Sequence, residues 1–166
     1  AINAAFTSVI ENTRKLEQAQ FSVNKLYGGG AKDITAFSEQ LAKSSGRSKA
    51  DALEAAAAQA TLARQYAMTA DQQKFVLTTS ANLAAVRGIS VASASERVAA
   101  AMRGEAEAAE YVGQTLNSDA VKAFAKMTDE QRKNFETLDP ITKAQIVLGK
   151  LMADNADLAD AAAERT

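Results

Sequence analysis

The sequence predicts an all-α fold: a multi-helix module of short, capped helices flanked by long N- and C-terminal helices. Three observations predict it. Apolar residues recur at three- and four-residue steps, and no segment shows the two-residue alternation of a half-buried strand. Alanine, the strongest helix former, fills 38 of 166 positions against a single proline. Helix stops and helix starts also stand back to back along the chain, most clearly between Thr78 and Pro140.

Ile2 to Tyr27 reads as one long helix, about 40 Å at ~1.5 Å per residue. Ile2, Phe6, Val9, Leu16, Val23 and Tyr27 fall on alternating four- and three-residue steps, with Thr13 and Gln20 at the two remaining positions. That is the heptad spacing of a coiled coil. Ala5, Ala19 and Leu26 widen the stripe, so a bundle helix of period 3.6 is the alternative. Gly28-Gly29-Gly30 then breaks the helix as a hinge or turn, because no Gly-Lys-Ser/Thr follows and no strand precedes, as a phosphate loop requires.

Asp33 to Lys43 forms a short helix with Ile34, Phe37 and Leu41 on one face, and Ser44–Arg47 is the loop after it. Ser48 with Asp51 caps a helix to about Met68, whose alanine-rich middle offers several faces for packing. Thr69 with Gln72 opens the next, with Phe75, Val76, Thr79, Leu83 and Val86 as its buried stripe. Arg87 places a cation on the negative end of that helix. Gly88 allows the left-handed stop, Ile89 folds back towards Leu83 or Ala84, and Ser90 caps the next helix.

Val91, Val98, Ala101 and Met102 continue the core until a second stop at Arg103-Gly104, with Glu105 at the following N-terminus. Tyr111, Val112 and Leu116 close a Glu-Ala-rich turn, and Val121, Phe124 and Ala125 belong to a short helix. Thr128 with Gln131 spaces as a capping box before Phe135 and Leu138, and Asp139-Pro140 is an N-cap with proline at the first helical position. From Ile141 the heptad is cleanest: Ile141, Ala144, Leu148, Leu151, Asn155, Leu158 and Ala162. Asn155 either fixes register at a seam or marks fraying to solvent. The expected organisation is a long helix over 1–27, a short-helix module over 28–140, and a long helix over 141–166 that continues out of the fragment.

Composition narrows the function classes. The formal net charge is −1, with no basic surplus to neutralise a phosphate backbone, although residues 1–50 carry seven basic and four acidic groups. Zero cysteine removes disulfide and thiolate chemistry, and zero histidine removes the commonest general base and metal ligand. No apolar run is long enough to span a bilayer. The chain begins Ala-Ile-Asn rather than with Met and is expected to be an excerpt or a processed piece. Few large apolar residues serve each helix, so a thin core is expected.

The chemistry-bearing clusters all carry a surface reading. Glu105, Glu107 and Glu110 form a solvated acidic face, and Asp154, Asp157 and Asp160 lack the glycine turn and terminal glutamate of a calcium loop. Met102, Met127 and Met152 are core gap-fillers, while Lys126, Arg132 and Lys133 are expected to pair with Glu130 and Glu136. No catalytic residue, cofactor or metal site is expected, and the chain is not expected to be an enzyme.

The strings A-N-L-A-A-V-R-G-I-S, E-R-V-A-A-A-M-R-G-E-A-E-A-A-E-Y-V-G and K-M-T-D-E-Q-R-K-N-F-E-T-L-D-P-I-T-K-A-Q resemble the helical module of tape measure proteins from long-tailed bacteriophages and prophages. The resemblance covers roughly Thr78–Gln145 and is weaker over Gly28–Thr69. Ser90 departs from it, standing where such modules are expected to carry Asp; both residues cap. These motifs encode helix ends, not active-site residues. The resemblance implies a structural role in setting tail length during assembly, with release ahead of the DNA at ejection. It also implies a place in the tail lumen of the virion after synthesis in the bacterial cytoplasm, and partners among tail tube protein, tail assembly chaperones and further copies of the chain. From the charge balance and the lack of a long apolar run, neither a specific nucleic acid partner nor a membrane is expected for this segment. Ile2, Phe6, Val9, Leu16, Val23, Leu148, Leu151, Asn155 and Leu158 are the expected helix-association residues. The alternative from another class is a binding or adaptor module that grips partner helices.

Overall fold

The computed structural model describes residues 2–156, which form helices joined by short turns, with no strand among them. The order is α1 (Ile2–Tyr27), a 3-10 turn (Gly28–Gly30), α2 (Ala31–Ser45), α3 (Lys49–Gln65), α4 (Ala70–Arg87) and α5 (Val91–Met102). Then follow α6 (Ala106–Thr115), α7 (Asp119–Ala125), α8 (Asp129–Glu136) and α9 (Pro140–Asp154). Their ends are built by the expected side chains. Ser48, Thr69, Ser90, Thr128 and Asp139 each accept a hydrogen bond from the backbone amide three residues on, with Gln72 and Gln131 completing reciprocal boxes. Gly88 ends α4 at φ +67, and the Ile89 amide donates to the Ala84 carbonyl.

α4 is the central helix. Eight consecutive residues, Lys74 to Ala81, are buried, so it has neighbours on every side: α2, α3, α5 and α6. α5 leaves it at 115°. Small residues at Thr78, Thr79, Ser80 and Ala81 let those neighbours approach, while Phe37, Leu53, Tyr66, Phe75, Leu77, Leu83, Met102, Leu148 and Leu151 supply bulk. The alanines of α3 fill the gaps between them, so close helix approach and large side chains coexist in one cluster. Met102 is fully buried, and Met127 and Met152 pack against its edge.

Three expectations are corrected. Val86 is 69 % exposed rather than part of the α4 stripe, because the helix emerges from the core in its last turn. The C-terminal helix does not run unbroken from Ile141: α9 ends at Asp154, and Asn155 leaves helical geometry at φ −124, ψ 48. Leu158 and Ala162 lie outside the described residues. Neither flanking helix stands apart from the short-helix module, since Ala19 and Val23 of α1 and Ala144, Val147, Leu148 and Leu151 of α9 belong to the same core. Within the described residues, α1 and α9 are therefore packed with the short helices.

Candidate helix-association surface

Among the described residues, four of the eight exposed large apolar side chains, Phe6, Val9, Ile10 and Phe21, lie on α1. Its C-terminal half packs against α3 and folds back on α2, so that Gln20 and Thr35, on either side of the joint, meet. Ala19 and Val23 are buried there, Leu16 and Tyr27 pack at the edge, and Gln20 donates to Thr35 Oγ1 at 3.0 Å. Two hydrogen bonds fasten the end: the Tyr27 hydroxyl donates to the Ala56 carbonyl at 2.6 Å, and Arg64 donates to the Leu26 carbonyl. Burial pushes the Tyr27 phenol up to about 12, against the lowering effect of the Arg64 charge.

The N-terminal half has no such support. Asn12, Lys15 and Leu16 share a groove with Ser48, Lys49 and Asp51, which places the start of α3 level with that part of α1. Helix residues before Asn12 therefore overshoot the body by roughly 15 Å at ~1.5 Å per residue. Phe6 is 67 % exposed, Val9 63 % and Ile10 53 %. The heptad seam is thus divided: α2 and α3 cover it from Leu16 onward, and nothing among the described residues covers Phe6 and Val9. The coiled-coil spacing is met in its second half by helices of the same chain.

The other expected association residues are distributed differently. Val23, Leu148 and Leu151 are fully buried in the chain's own core, where their helix contacts are made within the chain rather than with an external partner. Asn155 is a helix-ending residue rather than a seam residue, its Nδ2 donating to the Leu151 carbonyl at 2.9 Å. Ile2 begins α1, and Leu158 falls outside the described residues. Strict heptad counting misses Ile10 and Phe21, the latter 66 % exposed. At ~100° per residue they lie about 40° and 60° from Phe6, so the plain 3.6 period finds them.

The ionisable groups serve local structure. Glu105 pairs with Arg103 at 3.0 Å, Glu110 accepts from Gln114 at 3.2 Å, and no metal-capable cluster occurs among the described residues. Asp154 Oδ2 accepts from the Ser118 hydroxyl and the Ala120 amide, both at 2.9 Å, tying the end of α9 to the start of α7. Those bonds, the Ala120 amide first, hold its carboxyl below the usual carboxylate range. The Thr142 hydroxyl and amide do the same for Asp139. Arg132 departs from its expected pairing with glutamate by donating to the Ala125 carbonyl at 3.0 Å. Lys74 on α4 is 3 % exposed, pairs with Asp33 at 3.2 Å and lies 5.9 Å from the centre of the Phe37 ring.

No described helix alone is long and apolar enough to cross a membrane. No known protein family, curated protein or solved structure matches the chain.

Proposed function

We propose that this chain is a structural segment of a tape measure protein of a long-tailed bacteriophage or prophage, acting by helix packing and helix association rather than by catalysis. The observation that carries the reading is the resemblance over Thr78–Gln145. The capped all-α architecture is compatible with it, and the open Phe6–Val9–Ile10 face supports a role in association. The partners in this reading are tail tube protein, assembly chaperones and other copies of the chain, in the tail lumen. The test is tail length by electron microscopy after in-frame deletion of these 166 residues. Shortening is the expected result, by up to ~250 Å for a segment held as continuous helix at ~1.5 Å per residue. Unchanged tails overturn the reading.

The open α1 face favours one second reading, an adaptor that presents this stripe to the groove of a partner protein. Tails of unchanged length, with a partner lost on Phe6→Ser, Val9→Ser and Ile10→Ser substitution, select it.

A further inference from the structure

The joint between α1 and α2 contains more glycine than its observed geometry uses. Gly28 is at φ +53, a left-handed conformation that costs an L-residue roughly 1–2 kcal/mol. Gly30 is right-handed at φ −84, ψ −5, and Gly29 has no positive φ. A Cβ at either of them meets nothing within 4 Å. Tyr27 before the joint and Ala31 after it are also right-handed. One residue therefore turns the chain back, and its neighbours leave the joint free of side chains that would hinder another path. If Gly28 adopts helical φ and ψ, α1 and α2 join into one continuous helix over Ile2–Ser45.

We propose that α1 has two docking places of equal chemistry: the groove of its own α2 and α3, and the same groove of a second copy. The occupant follows from the contacts already described. The groove takes Ala19 and Val23, accepts the Tyr27 hydroxyl at Ala56, and donates from Arg64 to Leu26. An α1 from another copy supplies the same groups. The topology closes as well. In the folded-back form α1 lies back on its own α2. Two straightened α1–α2 helices side by side and antiparallel put each α1 against the other copy's α2 and α3 in that same orientation, around a two-fold axis. The Ala19 and Val23 packing and the Tyr27–Ala56 bond are then made between copies, with the backbone change centred on the two Gly28 residues. This exchange is independent of any role in a tail.

The experiment is light scattering on size-exclusion fractions of the full 166-residue chain and of its Gly28→Ala variant. An alanine disfavours the folded-back joint and favours the straight one, twice per dimer. The dimer dissociation constant is expected to fall by a factor of roughly 30 to 1,000. Lys15 and Glu54 line one groove and are both exposed, so Lys15→Cys carrying a donor dye and Glu54→Cys carrying an acceptor, on separate chains, report the exchange. Transfer between chains in the dimer fraction as efficient as that within a single chain carrying both dyes in the monomer fraction supports the proposal. A monomer at all concentrations, or a dimer whose transfer between chains is weaker than that, overturns it. If Gly28→Ala loses its helical circular dichroism, the labelled Gly28 chains are unfolded and refolded together at high concentration. Transfer of that efficiency in a dimer fraction then supports the exchange, and weaker transfer or none overturns it.

Discussion

Two residues set the terms of packing more sharply than their sequence neighbourhoods suggest. At Gly104 φ is +87, and an added Cβ would meet Phe135 Cε1 at 2.6 Å. The Arg103-Gly104 stop was legible in the sequence as a helix end; the aromatic ring from α8 pressed against it was not, because that contact joins Gly104 to Phe135, far apart in the sequence. Gly104→Ala combines left-handed strain with overpacking and is expected to destabilise by about 2–4 kcal/mol in urea unfolding. Phe135 in turn meets Phe124 edge to face at 4.6 Å, so the displaced ring also loosens α7. Lys74 is the second case. Its ammonium is taken from water while Asp33 remains largely exposed. Asp33→Asn removes the counter-charge of the buried cation, leaving it a neutral amide oxygen and the Phe37 ring, and is expected to cost about 1–2 kcal/mol, less than for a fully buried pair because solvent screens Asp33. Lys74→Met is expected to be neutral or stabilising in the same measurement, which separates the need for a partner from the need for a charge.

Helix ends explain why so much of the element order could be read in advance. A cap is local: the Ser, Thr or Asp and the amide it accepts from are three residues apart, so one short window contains both partners. The long-range ties were illegible for the opposite reason. Gln145 reaches from α9 to the Tyr66 carbonyl at 3.1 Å and receives a bond from Gln72 at 2.8 Å, and no spacing rule links those positions. Asn155 sat on a heptad position but ends its helix, since a seam pattern does not reveal where the helix stops. The capping carboxylates have a pH signature. Asp139 and Asp154 titrate lower folded than unfolded, so their stabilisation is complete above the ordinary carboxylate value near 3.8 and is lost as pH falls through the depressed one. Thermal melts from pH 7 to pH 3 are expected to show a drop in Tm below about pH 4 that is shallower in Asp154→Asn, together with a lower Tm at pH 7 for that variant. Tyr27 works at the other extreme. Its folded value is raised to about 12 from 10.0, so the stability it contributes is present below 10 and lost as pH rises towards 12. Tyr27→Phe is expected to remove that alkaline loss and to cost about 0.5–1.5 kcal/mol at neutral pH.

For the whole molecule, the decisive contrast is between the supported and unsupported halves of α1. The heptad spacing was visible in the sequence, but which part of it the chain covers itself depends on where α3 begins, and no local pattern encodes that. An isolated helical stretch of about a dozen residues is marginal in water, so the overshooting turns are held by continuity with the docked half rather than by packing. Asn3 to Lys15 are exposed on every face. Amides there are expected to exchange hydrogen within seconds while those of α4 are protected to the level of global unfolding, a difference that exchange followed by mass spectrometry resolves. Trypsin is expected to cut first at Arg14 or Lys15, and a chain lacking residues 1–13 is expected to keep its Tm within a few degrees, because Ala19, Val23 and the Tyr27–Ala56 bond all remain. A large loss of Tm on that truncation would show the arm to be packed after all. With Tm retained, any association lost with the arm traces to Phe6, Val9 and Ile10 themselves rather than to a damaged fold.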